Sequence, residues 1–265
     1  MCGIAGYIGK KQIGKSAIDK TLGLMKNRGP DYQDWRTFIA NDTNVYLLHS
    51  RLSIIDLDER SNQPFSFNGA TLVFNGEIYN FNELKRDFNI KTISKTDTEV
   101  LLELYKLKGT NCLNYLNGMF SFVIYDFKKN ILFCARDRLG IKPFYYYYDE
   151  KNFIFSSEIK PITQYLNSTF VDEDYLSDYL NTGFYDCDKR TFFKNINQLE
   201  QGHYILKSDA EFKKIRYWDL YEKNLSSSIK KLSFEDAEVI GKEIVKLFQT
   251  LVENLKIENG LCYWH

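Results

Sequence analysis

What the 265-residue chain lacks narrows its classes before any motif is read. It has no net charge, with 35 Lys+Arg against 35 Asp+Glu. Nothing therefore pulls it toward nucleic acid or an anionic membrane, and neither is expected as a partner. It has no apolar run near the ~18 residues of a membrane span; the nearest, 119–125, is short and reads as a strand. Five cysteines at irregular positions (2, 112, 134, 187 and 262) make no secreted disulfide framework. They read as reduced thiols of a cytoplasmic protein. The three histidines, His49, His203 and His265, show no metal-ligand spacing, and no zinc pattern exists, so no metal is expected. A signal peptide is not expected either, because Lys10-Lys11 follows a short strand-like opening at once.

What is present is core material. Apolar residues make up 44% and aromatics 16% of the chain, which argues against disorder and for one or two folded domains. Apolar or alternating runs at 45–49, 71–74, 120–125, 131–135, 143–148 and 153–156 predict strands. Turn-like segments separate the last four, which suggests an antiparallel meander. Helices are predicted over 16–26, 99–108 and 168–182. Helices beside a mostly antiparallel sheet system indicate an α+β fold for residues 1–220. From 233 to 257 there is no proline, and Ile240, Ile244, Leu247, Leu251 and Leu255 recur at helical spacing. This predicts an amphipathic helix whose apolar stripe wants a partner.

Three places could carry chemistry. Cys2 would become the first residue if Met1 is removed. Its thiol and a free α-amine, with a reference pKa near 7.7–8.0, would then belong to one residue, so the thiol carries its own base. Asn75-Gly76 follows an apolar strand. It reads either as a hairpin turn or as an oxyanion hole, with backbone N–H and the Asn75 amide as donors. Arg51 sits among apolar residues and needs a carboxylate, internal or on a ligand, whereas Asp97 precedes a helix and could serve only as its N-cap. An Arg for an α-carboxylate and an Asp for an α-ammonium are what an amino-acid ligand requires.

Together these residues carry a resemblance. Cys2-Gly-Ile-Ala-Gly6, Arg28-Gly-Pro-Asp31, His49-Ser-Arg-Leu-Ser-Ile-Ile-Asp56, Asn75-Gly-Glu-Ile-Tyr-Asn80, Asp97-Thr-Glu99, Gly118-Met-Phe-Ser-Phe122 and Ala135-Arg-Asp-Arg-Leu-Gly140 occur in order. Ser157-Glu-Ile-Lys160 and Gly202-His-Tyr204 follow. The chain resembles, over 1–220, the glutaminase half of glutamine-hydrolysing asparagine synthetases, a class II amidotransferase of the N-terminal-nucleophile (Ntn) hydrolase type. The resemblance implies a four-layer α/β/β/α sandwich that hydrolyses L-glutamine to L-glutamate and ammonia through a thioester. It implies Cys2 as nucleophile and Asn75 and Gly76 as oxyanion donors. Arg51 would hold the glutamine α-carboxylate, Leu52, Ser53, Ile54 and Ile55 would line the pocket, and Glu77 and Asp97 would hold the α-amino group.

The departure lies at the C-terminus. In the family a helix like 233–257 leads into a domain whose Ser-Gly-Gly-x-Asp-Ser loop binds ATP, and that motif is absent here. Residues 221–265 are therefore expected to be a linker and the truncated start of a synthetase domain. No cofactor is expected in this chain, since ATP and magnesium belong to the missing domain. The alternatives are a catalytically silent remnant or binding subunit, or a subunit serving another acceptor such as a sugar. Helix 233–257 would then dock on a separate synthetase chain or in a homodimer.

Overall fold

The computed structural model describes residues 1–53, 58–220, 239, 241–247 and 249. The chain divides into two units, Met1–Trp218 and Asp219–His265. Of the second, the described residues 239, 241–247 and 249 are helical, and Val239, Ile244, Val245 and Leu247 are exposed. The rest of the helix expected over 233–257 lies outside the described residues.

The first unit is built on two six-stranded sheets. One carries β1 (Gly3–Gly9), β2 (Tyr32–Ala40), β3 (Thr43–Arg51), β8 (Tyr145–Tyr148), β9 (Asn152–Ser156) and β10 (Ile196–Gln198), in the order β10-β8-β9-β1-β3-β2. The other carries β4 (Phe65–Phe67), β5 (Ala70–Ile78), β6 (Gly118–Asp126), β7 (Ile131–Arg136), β11 (His203–Lys207) and β12 (Phe212–Arg216), in the order β12-β11-β7-β6-β5-β4. Every neighbouring pair is antiparallel.

Side-chain parity turns these sheets into layers, because successive residues of a strand face opposite ways. On β6, Val123 and Tyr125 join Ile4, Val45, Leu47, Cys134 and Phe155 in one buried cluster between the sheets. Phe120, Phe122 and Ile124 of the same strand face the other way. They pack with Leu101, Leu104 and Tyr105 of α3 (Asp97–Lys108) and with Leu84 of α2 (Phe81–Asp87). On β1 and β3, Ala5, Tyr7, Tyr46 and Leu48 meet Ile18 and Leu22 of α1 (Lys15–Leu24) and Ile162 of α4 (Ile159–Thr163). The result is a four-layer α/β/β/α sandwich. The largest fully buried side chains include Phe120, Phe122, Phe133 and Phe155, each contributing about 2–3 kcal/mol through burial.

All but one of the sequence-predicted strands extend further than their apolar runs. The strand expected over 71–74 continues through Asn75, Gly76 and Glu77 to Ile78, paired with β6 along its length. The hairpin-turn reading of Asn75-Gly76 is therefore overturned, because pairing with a strand some forty residues away overrides the local turn preference. The strand expected over 143–148 is confined to Tyr145–Tyr148. The helix expected over 168–182 is shorter, α5 (Glu173–Thr182), with the Asp172 side chain accepting from Tyr175 N and Gly183 closing it at φ 72°. Thr96, not Asp97, holds the N-cap position of α3, and Asp97 is its first residue. Its carboxylate is thus left for other work.

Candidate active site

One end of the sandwich collects the polar residues that the alternation leaves over. The register Gly3↔Ser50 sets Cys2, just ahead of β1, against the end of β3 where Arg51 and Leu52 lie. The Cys2 Sγ–H points to Leu52 O at 3.6 Å, and Leu52 N–H donates back to Sγ at 3.4 Å. Burial pushes the thiol pKa up, opposed by the Leu52 N–H and the charges of the chain's amino terminus and Arg51. Arg28 Nε–H donates to Cys2 O at 3.0 Å and so fixes the backbone that carries the thiol. The following loop is held by Asp31, whose carboxylate accepts from Ser53 N at 2.7 Å.

The opposite sheet supplies Asn75, Gly76 and Glu77. His49 Nε2 lies 3.1 Å from Phe74 O, joining β3 to β5. Complete burial pushes its pKa down to about 3, so the imidazole is neutral and its Nε2–H donates to the carbonyl. Asn75 is 1% exposed, and its Nδ2 is a buried donor without a hydrogen-bond partner. Leaving such a donor unpaired costs about 1–3 kcal/mol. Gly76 is required by space. A Cβ there would collide with the Met119 carbonyl and stand 2.7 Å from Phe120 Cα. Gly76→Ala is expected to force β5 from β6, lowering stability by about 2–3 kcal/mol and Tm by about 5–10 °C. Thermal unfolding checks this; an unchanged Tm would refute it.

The acidic side is equally defined. Asp97 is 4% exposed, and its Oδ2 accepts from Ile78 N at 2.9 Å. Burial first, and nearby Glu77 with it, raises its pKa to about 7 against the Ile78 N–H. Burial raises Glu77 as well, against the pull of Lys142. Two adjacent carboxylates held this way favour a cation between them, since a positive charge would lower both. Arg51 is also buried, donating from Nη1 to Asn62 Oδ1 at 2.6 Å and Asp58 O at 3.3 Å.

Cys2, Arg51, Leu52, Asn75, Gly76, Glu77 and Asp97 line one cleft of about 100 Å³. Ser53 stands beside it on the Asp31-held loop, while Ile54 and Ile55 lie outside the described residues. The cleft also takes in Ser61, Gln63, Thr98, Met119 and Lys142, which the sequence did not single out. Gln63 arrives through a side-chain bond to Phe74 N at 2.6 Å, a long-range contact without a local signature. Among the described residues, no group of three or more His, Cys, Asp or Glu could hold a metal ion, and no helix is long and apolar enough to cross a membrane.

A thiol at the lip of one sheet, a buried Asn75 amide on the other and a buried arginine with two carboxylates thus meet in one cleft of the four-layer sandwich. The glutamine amidotransferase domain family matches residues 1–218, and the chain belongs to it. It is 40% identical over 245 residues to a Methanocaldococcus jannaschii relative assigned as a glutamine-hydrolyzing asparagine synthetase, covering 83% of this chain and 47% of that protein. It is 34% identical over 263 residues to asparagine synthetase [glutamine-hydrolyzing] 3 of Bacillus subtilis, covering 95% and 41%. The chain thus spans less than half the length of these relatives. Among solved structures, glutamine phosphoribosylpyrophosphate amidotransferase from B. subtilis shares the fold. The TM-score is 0.55 at 18% identity, over 82% of this chain and 49% of that one.

Proposed function

We propose that this domain hydrolyses L-glutamine to L-glutamate and ammonia through a thioester on Cys2. The observation that carries the reading is the shared cleft. The Cys2 thiol and the orphaned Asn75 Nδ2 line it together with a buried Arg51 and the Glu77–Asp97 carboxylates. Arg51 binds the α-carboxylate of glutamine, and Glu77 and Asp97 bind its α-ammonium. The side-chain amide then reaches Cys2. After removal of Met1, the Cys2 α-amine takes the thiol proton as Sγ attacks the amide carbon. Asn75 Nδ2–H and the Gly76 N–H receive the negative oxygen. The amine returns its proton to the leaving nitrogen, ammonia departs, and water repeats the sequence on the thioester to release glutamate. No metal or organic cofactor takes part in these steps.

The family and its relatives support the further reading that the ammonia feeds asparagine synthesis. In that reading the synthetase half, with its ATP and magnesium, resides on another polypeptide segment or chain, and the protein works in the cytoplasm. A glutamine-like chloroketone is the direct test. Intact mass should show one adduct on a chain that lacks Met1, with the label on residue 2, and glutamate release should cease. Labelling elsewhere, or no glutamate from untreated protein, would sink the proposal.

A further inference from the structure

Lys142 is a buried charge that the steps above leave unused. It is 6% exposed and lines the cleft with Cys2 and Glu77. The loop that brings it there is tightly pinned by Asp137, itself 1% exposed. The Asp137 carboxylate accepts from Phe120 N at 3.2 Å, Leu139 N at 3.1 Å, Ile141 N at 3.0 Å and Lys142 N at 3.0 Å. Gly140, at φ +68°, makes the turn between them.

This anchorage ends in an ammonium with little to hold. Its Nζ stands 3.3 Å from Met1 Sδ, a weak acceptor. Among the described residues it forms no ion pair within 4.0 Å. Burying a long cation against a thioether is costly, and a packing role would be met by methionine or leucine at less expense. What the position does provide is a fixed positive charge beside residue 1. Met1 Sδ is three bonds from its own Cα, so covalent reach places Nζ within about 10 Å of the nitrogen that becomes the α-amine of Cys2.

We propose that Lys142 is a positioning residue for the hydrolysis, whose charge keeps the α-amine of Cys2 in its neutral, proton-accepting form. This rests on the Cys2 glutaminase reading. An α-ammonium is disfavoured beside a second ammonium in a poorly solvated cleft, and a thiolate is favoured there. Both effects help the transfer of the thiol proton to the amine. The other charged groups facing the site divide by sign. Arg28 and Arg51 act with Lys142, whereas Asp31, Glu77, Asp97 and Asp137 oppose it. With Met1 in place, the α-amine of Met1 is shifted down, by burial first, with Arg28 and Lys142 lowering it and Cys2 and Asp31 raising it, so Lys142 acts on an amine at this end of the chain in the stated direction. Burial in turn lowers Lys142, and Cys2, Glu77 and Asp137 counter that shift.

The test is the pH profile of kcat for glutamate release from pH 5 to 9 at saturating glutamine, where the substrate ammonium already covers Glu77 and Asp97. In Lys142→Met the acid limb should move up by about half to one pH unit. That makes kcat about three- to tenfold lower near pH 6 and within about twofold of wild type near pH 9. Lys142→Arg should keep the wild-type limb. An unshifted limb in Lys142→Met would overturn the inference, as would an equal loss at every pH shared by the arginine variant. Should Lys142→Met not fold, Lys142→Gln carries the same expectation. Wild type separates the two readings. If it releases no glutamate, the glutaminase reading fails; if it turns over normally while the neutral variants keep its profile, only the role of Lys142 fails.

Discussion

Replacing Cys2 by alanine is expected to abolish glutamate release, with a loss of at least about 10³-fold in kcat, while leaving the fold intact. The thiol is the nucleophile in the proposed route, and among the described residues no other cysteine lines the cleft. Cys112 and Cys134 are fully buried in the apolar clusters, with burial raising both thiols, and Cys187 is exposed on the loop after α5. The only side-chain bonds removed are the weak exchanges with the Leu52 peptide, so Tm should change by no more than about 3 °C. Glutamine should still bind to Cys2→Ala, because Arg51, Glu77 and Asp97 are untouched. Calorimetric titration with glutamine and a coupled glutamate assay check both halves. Retained turnover in the alanine variant would end the thioester mechanism.

Asp97→Asn should cut in two opposite directions. Its carboxylate is the fully buried half of the acidic pair, and losing a buried charge-assisted contact to the substrate ammonium costs about 2–4 kcal/mol. KM for glutamine should therefore rise about 30- to 1000-fold. Stability should move the other way. Burial raises Asp97 to about 7, far above the ordinary carboxylate value, so the folded state holds this proton more tightly than the unfolded state. Wild-type stability then falls as pH rises from about 4 to about 7 and levels off beyond, since over that range folding must retain a proton that the unfolded chain releases. Asparagine cannot ionise and still accepts from Ile78 N. The variant should gain about 1–3 kcal/mol at pH 8 and almost nothing near pH 4. Urea midpoints at the two pH values measure the difference. An equal gain at both, or an unchanged KM, would refute the assignment of a cation-binding role to Asp97.

The central strands were legible in the sequence for a physical reason. In β6 and β7 both faces are buried, one against the other sheet and one against helices, so the strand reads as an almost unbroken apolar run. The edge strands β2, β4 and β12 keep one face in water and mix polar with apolar residues; no comparable signal reaches the eye. The site divides similarly. Cys2, Arg51, Asn75 and Asp97 stood out because a thiol at position 2, or a polar residue inside an apolar run, requires a reason. Lys142 lies between Ile141 and Pro143 and carries no local mark; only the Asp137 carboxylate, binding four backbone N–H groups, brings it inward. Asn75-Gly76 misleads locally because its sequence preference is for a turn, whereas its partner strand β6 is distant in the chain.

The pairing of β1 has a consequence for synthesis. Ala5 is paired with Ser156 and Gly3 with Ser50, so the strand that directly follows Cys2 is the first made and waits longest for its second neighbour. At about 5–20 residues per second, roughly ten seconds or more separate its emergence from the ribosome from the arrival of β9. During that interval the peptide bond between Met1 and Cys2 lies open to an aminopeptidase, and in the finished sandwich Met1 is still half exposed while Cys2 is held by Arg28 and the Leu52 peptide.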